Sequence, residues 1–284
     1  MQETLLFLTQ MEPPRNYKNI ESLNRVAHYI KSRFEALCIP VEYQEFMVSN
    51  QIYKNVIASI NPHCEKRLIM GGHYDVCGDI QGADDNASAI AGLLQSAKLL
   101  KNIATELNFR IDFVAFCLEE PPYFGTQNMG SFIHAKYLQE HQIPIIGMIN
   151  YEMIGYFTDE PNSQNYPIES MKNIYPSTGD FIAMISNENS QSFLHALDFD
   201  NCPKNIASLN IILPEILAPL SASDHLNYWG FGFPAIMVTD AAFFRNPNYQ
   251  KTSDTMDTLN IAKMEYVVDL IVSGIKKITN NTKT

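Results

Sequence analysis

Three apolar, strand-like runs in this chain each lead into a histidine or a carboxylate, and that pattern constrains the fold more than any other feature. Residues 67–72 run into His73, residues 109–116 lead to Glu119 and Glu120, and residues 145–150 lead to Glu152. The stretch 109–116 reads as a strand buried on both faces, the signature of a sheet covered by helices. In open α/β sheets, ligands gather outside the carboxyl ends of the strands, which is where these four side chains would lie. One acid at a strand end is ordinarily a surface or capping residue. Four such positions in one chain point to a site.

Between these runs the periodicity alternates. Apolar residues at helical spacing (Leu23, Val26, Ala27, Ile30, Phe34) predict a helix over 21–37, and further helices are expected over 87–100, 129–139, 190–197 and 261–277. Strands are predicted over 41–48, 53–60, 180–185, 208–213 and 235–239, with an irregular stretch at 159–178. Without an internal repeat or a low-complexity linker, this succession predicts an α/β fold. The expectation is a single domain over 1–284, with a mixed, mostly parallel central sheet flanked by helices on both faces. At 284 residues and 46% hydrophobic content the chain is long enough to bury such a core.

The formal net charge of −11 argues against a nucleic-acid partner, which usually requires a basic stripe, and leaves room for bound cations. Five scattered cysteines, an odd number without a CxxC pair, fit reduced thiols. No apolar run approaches the ~18 to 20 residues needed to span a bilayer. The first residues, MQETLLFLTQMEPPRN, lack a basic leader and a small-residue cleavage site. The expectation is a cytoplasmic protein with no membrane partner.

The chemistry is carried by Gly72-His73-Tyr74-Asp75, by Gly82-Ala83-Asp84-Asp85-Asn86 and by Leu118-Glu119-Glu120. A histidine with several carboxylates is the donor set of a zinc site that activates water. Together with NYEMIGYF, SASDH and NPNYQKTSDTMDTLN, in that order, these segments resemble the co-catalytic zinc aminopeptidases. That family also contains secreted bacterial leucyl aminopeptidases, glutamate carboxypeptidases and glutaminyl cyclases. The resemblance runs from about residue 19 to 278.

The resemblance implies roles residue by residue. His73 matches a ligand of one zinc, Asp85 the carboxylate that bridges two zincs, and Glu152 the remaining ligand of the His73 zinc. Glu119 matches the general base and Glu120 a ligand of the other zinc. Asp75 is expected to hold the His73 ring, the usual task of a carboxylate behind a metal-bound imidazole. Asp84 is expected to be a loop residue. The pattern is broken at Gln250, where relatives carry the histidine that completes the second site. Glutamine is a poor zinc ligand, so one zinc is expected and the second site is weak or absent. Lys251 is a candidate to supply positive charge there instead. His225, in the SDH segment, is expected to make structural hydrogen bonds.

The remaining features carry less. Tyr249 is a candidate substrate contact, while Phe243 and Phe244 fit a core role better. His28 is expected to be partly buried on its helix, and none of His28, His63, His134, His141 and His195 is expected to bind metal. Cys77 is expected to be a plain small side chain, and the methionines to fill core gaps. The resemblance implies zinc-dependent removal of N-terminal residues from short peptides or amino-acid amides. Two alternatives stand beside it: a relative that has lost catalysis at Gln250 and acts as a binding module, and a single-zinc acyltransferase of the glutaminyl cyclase kind.

Overall fold

The computed structural model describes residues 1–202, 205–214 and 222–281. Among them, eight strands form one sheet: β1 (Val41–Val48), β2 (Gln51–Ile60), β3 (Arg67–His73), β4 (Arg110–Phe116), β5 (Ile145–Tyr151), β6 (Phe181–Asn187), β7 (Ala207–Leu213) and β8 (Ala235–Thr239). Their order is β1-β2-β4-β3-β5-β8-β6-β7. The centre, β4-β3-β5-β8, is parallel, as is the β6-β7 pair. The β1-β2 hairpin joins β4 antiparallel, and β6 joins β8 antiparallel. This is the mixed, mostly parallel sheet that the sequence predicts.

Helices cover both faces. On one side lie α1 (Gln2–Thr9), α2 (Ile20–Ala36), α3 (Ala89–Asn102), α5 (Gln191–Leu197) and α7 (Ile261–Asn281); on the other lie α4 (Gly130–Glu140) and α6 (His225–Gly230). The first side packs Val26, Ile30, Phe34, Leu93 and Ile271 onto Met70, Ile111 and Phe113. The second packs Ala135, Leu138 and Tyr228 onto Ile69, Val114 and Phe116. Alternation along β3 and β4 thus sends apolar side chains both ways, each contributing roughly 1.5–3 kcal/mol of burial.

Three local differences from the expected elements have physical causes. The apolar start of the chain forms α1, whose Leu5 and Leu8 are fully buried. This helix is too short for periodicity to reveal. The helix expected from residue 87 begins at Ala89, because residues 83–88 form a kinked turn in which Asp85 (φ −100, ψ 90) is not helical. The SDH segment opens α6, a six-residue helix held by packing rather than propensity. His28 is exposed, not partly buried as expected. Among the described residues, no helix is long and apolar enough to cross a membrane.

Candidate metal centre

The parallel register aligns the ends of β3, β4 and β5. His73 pairs with Phe116 and Gly71 with Asn150, so the segments carrying Glu119, Glu120 and Glu152 leave the sheet beside His73. Gly72 makes this approach possible: a Cβ there would lie 2.9 Å from the Tyr151 carbonyl and 3.0 Å from the Ala89 Cβ. The loop after β3 then returns through Gly82, at φ +59°, and delivers Asp85 to the same point.

Three carboxylate oxygens surround His73 Nε2: Asp85 Oδ1 at 3.5 Å, Glu119 Oε2 at 3.6 Å and Glu152 Oε2 at 3.4 Å. His73 is fully buried, and its Nε2 has no hydrogen-bond partner. His73 Nδ1 lies 3.2 Å from the backbone carbonyl of Asp75. A carbonyl only accepts, so Nδ1 carries a proton and Nε2 is the atom aimed at the acids. Donor atoms set tetrahedrally about 2.1 Å from one ion are about 3.4 Å apart, close to these separations. Glu120 approaches from another side: ligand atoms of His73, Asp85 and Glu120 lie within 4.8 Å of one another, a grouping that does not include Glu119 or Glu152. Geometry and chemistry of the donor set therefore fit zinc.

A shell of donors holds the acids. Ser223 Oγ donates to Glu152 Oε2 at 2.6 Å, and Asn86 Nδ2 donates to the same atom at 3.1 Å. The Asp75 carboxylate accepts the backbone N–H groups of Glu119 (3.2 Å) and Glu120 (3.1 Å), and its Oδ1 stands 3.6 Å from His73 Nδ1. Asp254 does the same for the other loop, accepting from the N–H groups of Asp84 (2.9 Å) and Asp85 (3.1 Å). Gln250 Nε2 donates to Glu120 Oε2 at 3.1 Å, so its amide lies against a carboxylate of the cluster.

Electrostatics follow from burial. Glu119, Glu120 and Glu152 are all pushed up from the usual carboxylate range, first by desolvation and then by neighbouring acids, with His73 opposing. Asp224, fully buried, is raised by the same desolvation to about 7. Burial alone would lower the His73 pKa, but Glu119 and Glu152 outweigh it and raise it well above its ordinary value. Positive charge is strongly favoured at this point, whether a proton or a metal ion.

Several expectations change here. Asp84 is more than a loop residue: it is fully buried and accepts from Gly155 N at 2.9 Å and Asn246 Nδ2 at 2.6 Å. Lys251 is exposed and donates to the carbonyl of Pro247 at 2.7 Å, so it does not stand in for a metal. Phe243 and Phe244 are not core; they line a pocket, and Phe243 is 55% exposed. That pocket, about 110 Å³, runs from Glu152 along Phe181, Ile185, Ile211 and Met237, with Tyr249 on its wall. Of the excluded histidines, His134 is buried against the Tyr228 hydroxyl at 2.6 Å. Ser221, the first residue of SASDH, lies outside the described residues. Sequence reasoning assigned no role to Ser223, Asn86 or Asp254, although each sits inside a quoted motif.

Residues 55–274 match peptidase family M28. The chain belongs to that family. This M28 chain is 39% identical over 284 residues to the uncharacterized protein YfbL of Escherichia coli (strain K12), covering 96% of this chain and 86% of the relative. Among solved structures it resembles the Legionella pneumophila LapA aminopeptidase (TM-score 0.76, 18% identity), covering 98% of this chain and 70% of that one. It also resembles the Fimbriiglobus ruber glutaminyl cyclase (TM-score 0.70, 19% identity), covering 97% and 93%. At these identities the two structures establish a fold shared with this chain.

Proposed function

We propose that this chain is a zinc-dependent aminopeptidase that removes uncharged, apolar N-terminal residues from short peptides and amino-acid amides. The observation that carries the reading is the unpartnered His73 Nε2 among three carboxylate oxygens, one of which belongs to Glu152, a residue that also lines an apolar pocket. His73, Asp85 and Glu152 would hold one zinc. Glu120 would face a second position, weak or absent because Gln250 offers it an amide N–H in place of an imidazole. Bound zinc supplies a Lewis acid that polarises the scissile carbonyl and acidifies water.

The side chains perform the remaining work. Glu119 takes a proton from the attacking water at its carboxylate and returns it to the leaving nitrogen as the C–N bond breaks. Ser223 and Asn86 fix the Glu152 carboxylate, and Asp75 fixes the backbone from which Glu119 and Glu120 project. The acidic cluster attracts the substrate's α-ammonium group, and the pocket beyond Glu152 takes its side chain by burying apolar surface.

The test is hydrolysis of an amide and dipeptide panel by the purified chain with zinc, beside Glu119→Ala and Gln250→His. Leucyl or phenylalanyl turnover that vanishes in Glu119→Ala supports the reading. The Gln250–Glu120 hydrogen bond favours one second reading, a relative whose metal site no longer supports catalysis. Turnover by Gln250→His alone would establish that second reading. Ammonia release from an N-terminal glutaminyl peptide without peptide cleavage would instead indicate glutaminyl cyclisation.

A further inference from the structure

The loop 74–82 joins His73 to Asp85 and contains no helix or strand. Its polar backbone must be satisfied from elsewhere, because unpaired buried carbonyls are costly. The satisfying groups come from residues 15 and 16, far away in the chain and outside the stretch that matches family M28. Arg15 is fully buried and makes no ion pair with a carboxylate among the described contacts. Its guanidinium spends its donors on backbone: Nε to the Tyr74 carbonyl at 2.8 Å, Nη2 to Gly82 at 2.6 Å, and Nη1 to Gln81 and to Leu8, the latter at 2.9 Å. Asn16 Nδ2 donates to the Gly78 carbonyl at 2.7 Å and to Asp79 Oδ1 at 2.9 Å. The Arg15 carbonyl accepts from Val76 N at 3.3 Å. Both ends of the loop and its middle are thus held by two adjacent residues.

We propose that Arg15 and Asn16 form a clasp that positions His73 and Asp85 for metal binding, a step that rests on reading those two residues as zinc ligands. The planar fork of Arg15 is what the site uses: it reaches Tyr74, next to His73, and Gly82, three residues before Asp85, from one rigid group. A lysine at this position would keep the charge but lack the flat fork whose Nε and Nη2 bond these two carbonyls side by side. Gly82 leaves no space for slack, since a Cβ there would lie 3.0 Å from Arg15 Nη2 and 2.3 Å from the Asp85 carbonyl. Arg15 and Asn16 are positioning residues; neither approaches the substrate pocket.

The experiment uses the full chain and measures zinc affinity by competition with a chromophoric chelator, together with amide hydrogen exchange over residues 76–82. Zinc binding by the wild-type protein tests the ligand reading alone; its absence overturns that reading and the clasp with it. Given wild-type binding, Arg15→Met is expected to weaken zinc at least tenfold and to speed exchange in the loop. Arg15→Lys is expected not to restore either property. Asn16→Ala, the milder variant, is expected to weaken zinc about threefold and remains informative if Arg15→Met does not fold. Wild-type affinity and exchange in Asn16→Ala, or full rescue by Arg15→Lys, would overturn the clasp.

Discussion

Glu152, proposed above as a zinc ligand, is held by two donors on one carboxylate oxygen. Its Oε2 receives the Ser223 hydroxyl at 2.6 Å and the Asn86 amide at 3.1 Å, and that same oxygen stands 3.4 Å from His73 Nε2. Partners of this kind, behind a ligand, typically account for 10–100-fold in metal affinity. Ser223→Ala is therefore expected to weaken zinc binding by about tenfold while leaving the far-UV spectrum unchanged, as an equilibrium zinc titration would show. Unchanged affinity would mean that Glu152 does not hold the metal. Glutamine at 250 was legible in the sequence as an anomaly, but its consequence was not. Only the 3.1 Å contact shows that its amide has become a donor to Glu120.

At the scale of elements, the close approach of β3, β5 and α3 sets where His73 emerges. Gly72 sits at that junction, with the Tyr151 carbonyl and Ala89 Cβ within 3.0 Å of where a Cβ would be. Gly72→Ala is expected to cost about 1–3 kcal/mol, the usual range for overpacking, measured as a lower urea midpoint with an unchanged slope. On the other face, His134 of α4 is buried against Tyr228 of α6, and burial lowers its pKa to about 4 despite nearby Asp112. The folded chain keeps His134 neutral, while the unfolded chain protonates it below its ordinary value of 6.5. Stability from this group is present above that value and declines as pH falls from 6.5 toward 4, by about 3 kcal/mol in all. His134→Gln, which keeps a partner for Tyr228, is expected to flatten the pH dependence of unfolding in that window. Equal slopes for both proteins would contradict the neutral buried state.

For the whole molecule, the centre draws on segments spread from Arg15 to Asp254, so the proposed metal binding would be linked to global folding. A ligand at a hundredfold excess over its dissociation constant stabilises the native state by about 2.7 kcal/mol. Removing zinc with a chelator is then expected to lower Tm by roughly 5–11 °C, given a shift of ~2–4 °C per kcal/mol in chains of about this size. A melt insensitive to both zinc and chelator would exclude a tight structural coupling. The β3, β4 and β5 strands and the order of the acids after them were readable beforehand, because a strand's pattern lies within a few consecutive residues. The α1 helix was not, since its eight residues carry too little periodicity and are stabilised by burial of Leu5 and Leu8.

The amino-acid sequence by itself determined the alternation of strands and helices, the sheet class and the residue types at the strand ends. These depend on local periodicity and on chemistry that each residue carries wherever it lies. Only the tertiary structure decided which groups hold those residues in place. Asp254 meets Asp84 and Asp85 across about 170 positions, Ser223 meets Glu152 across 71, and Arg15 meets Gly82 across 67. Such contacts are set by how the layers pack, and no window of sequence contains both partners. The same packing turned Phe243 and Phe244 from expected core residues into the wall of the pocket beside Glu152.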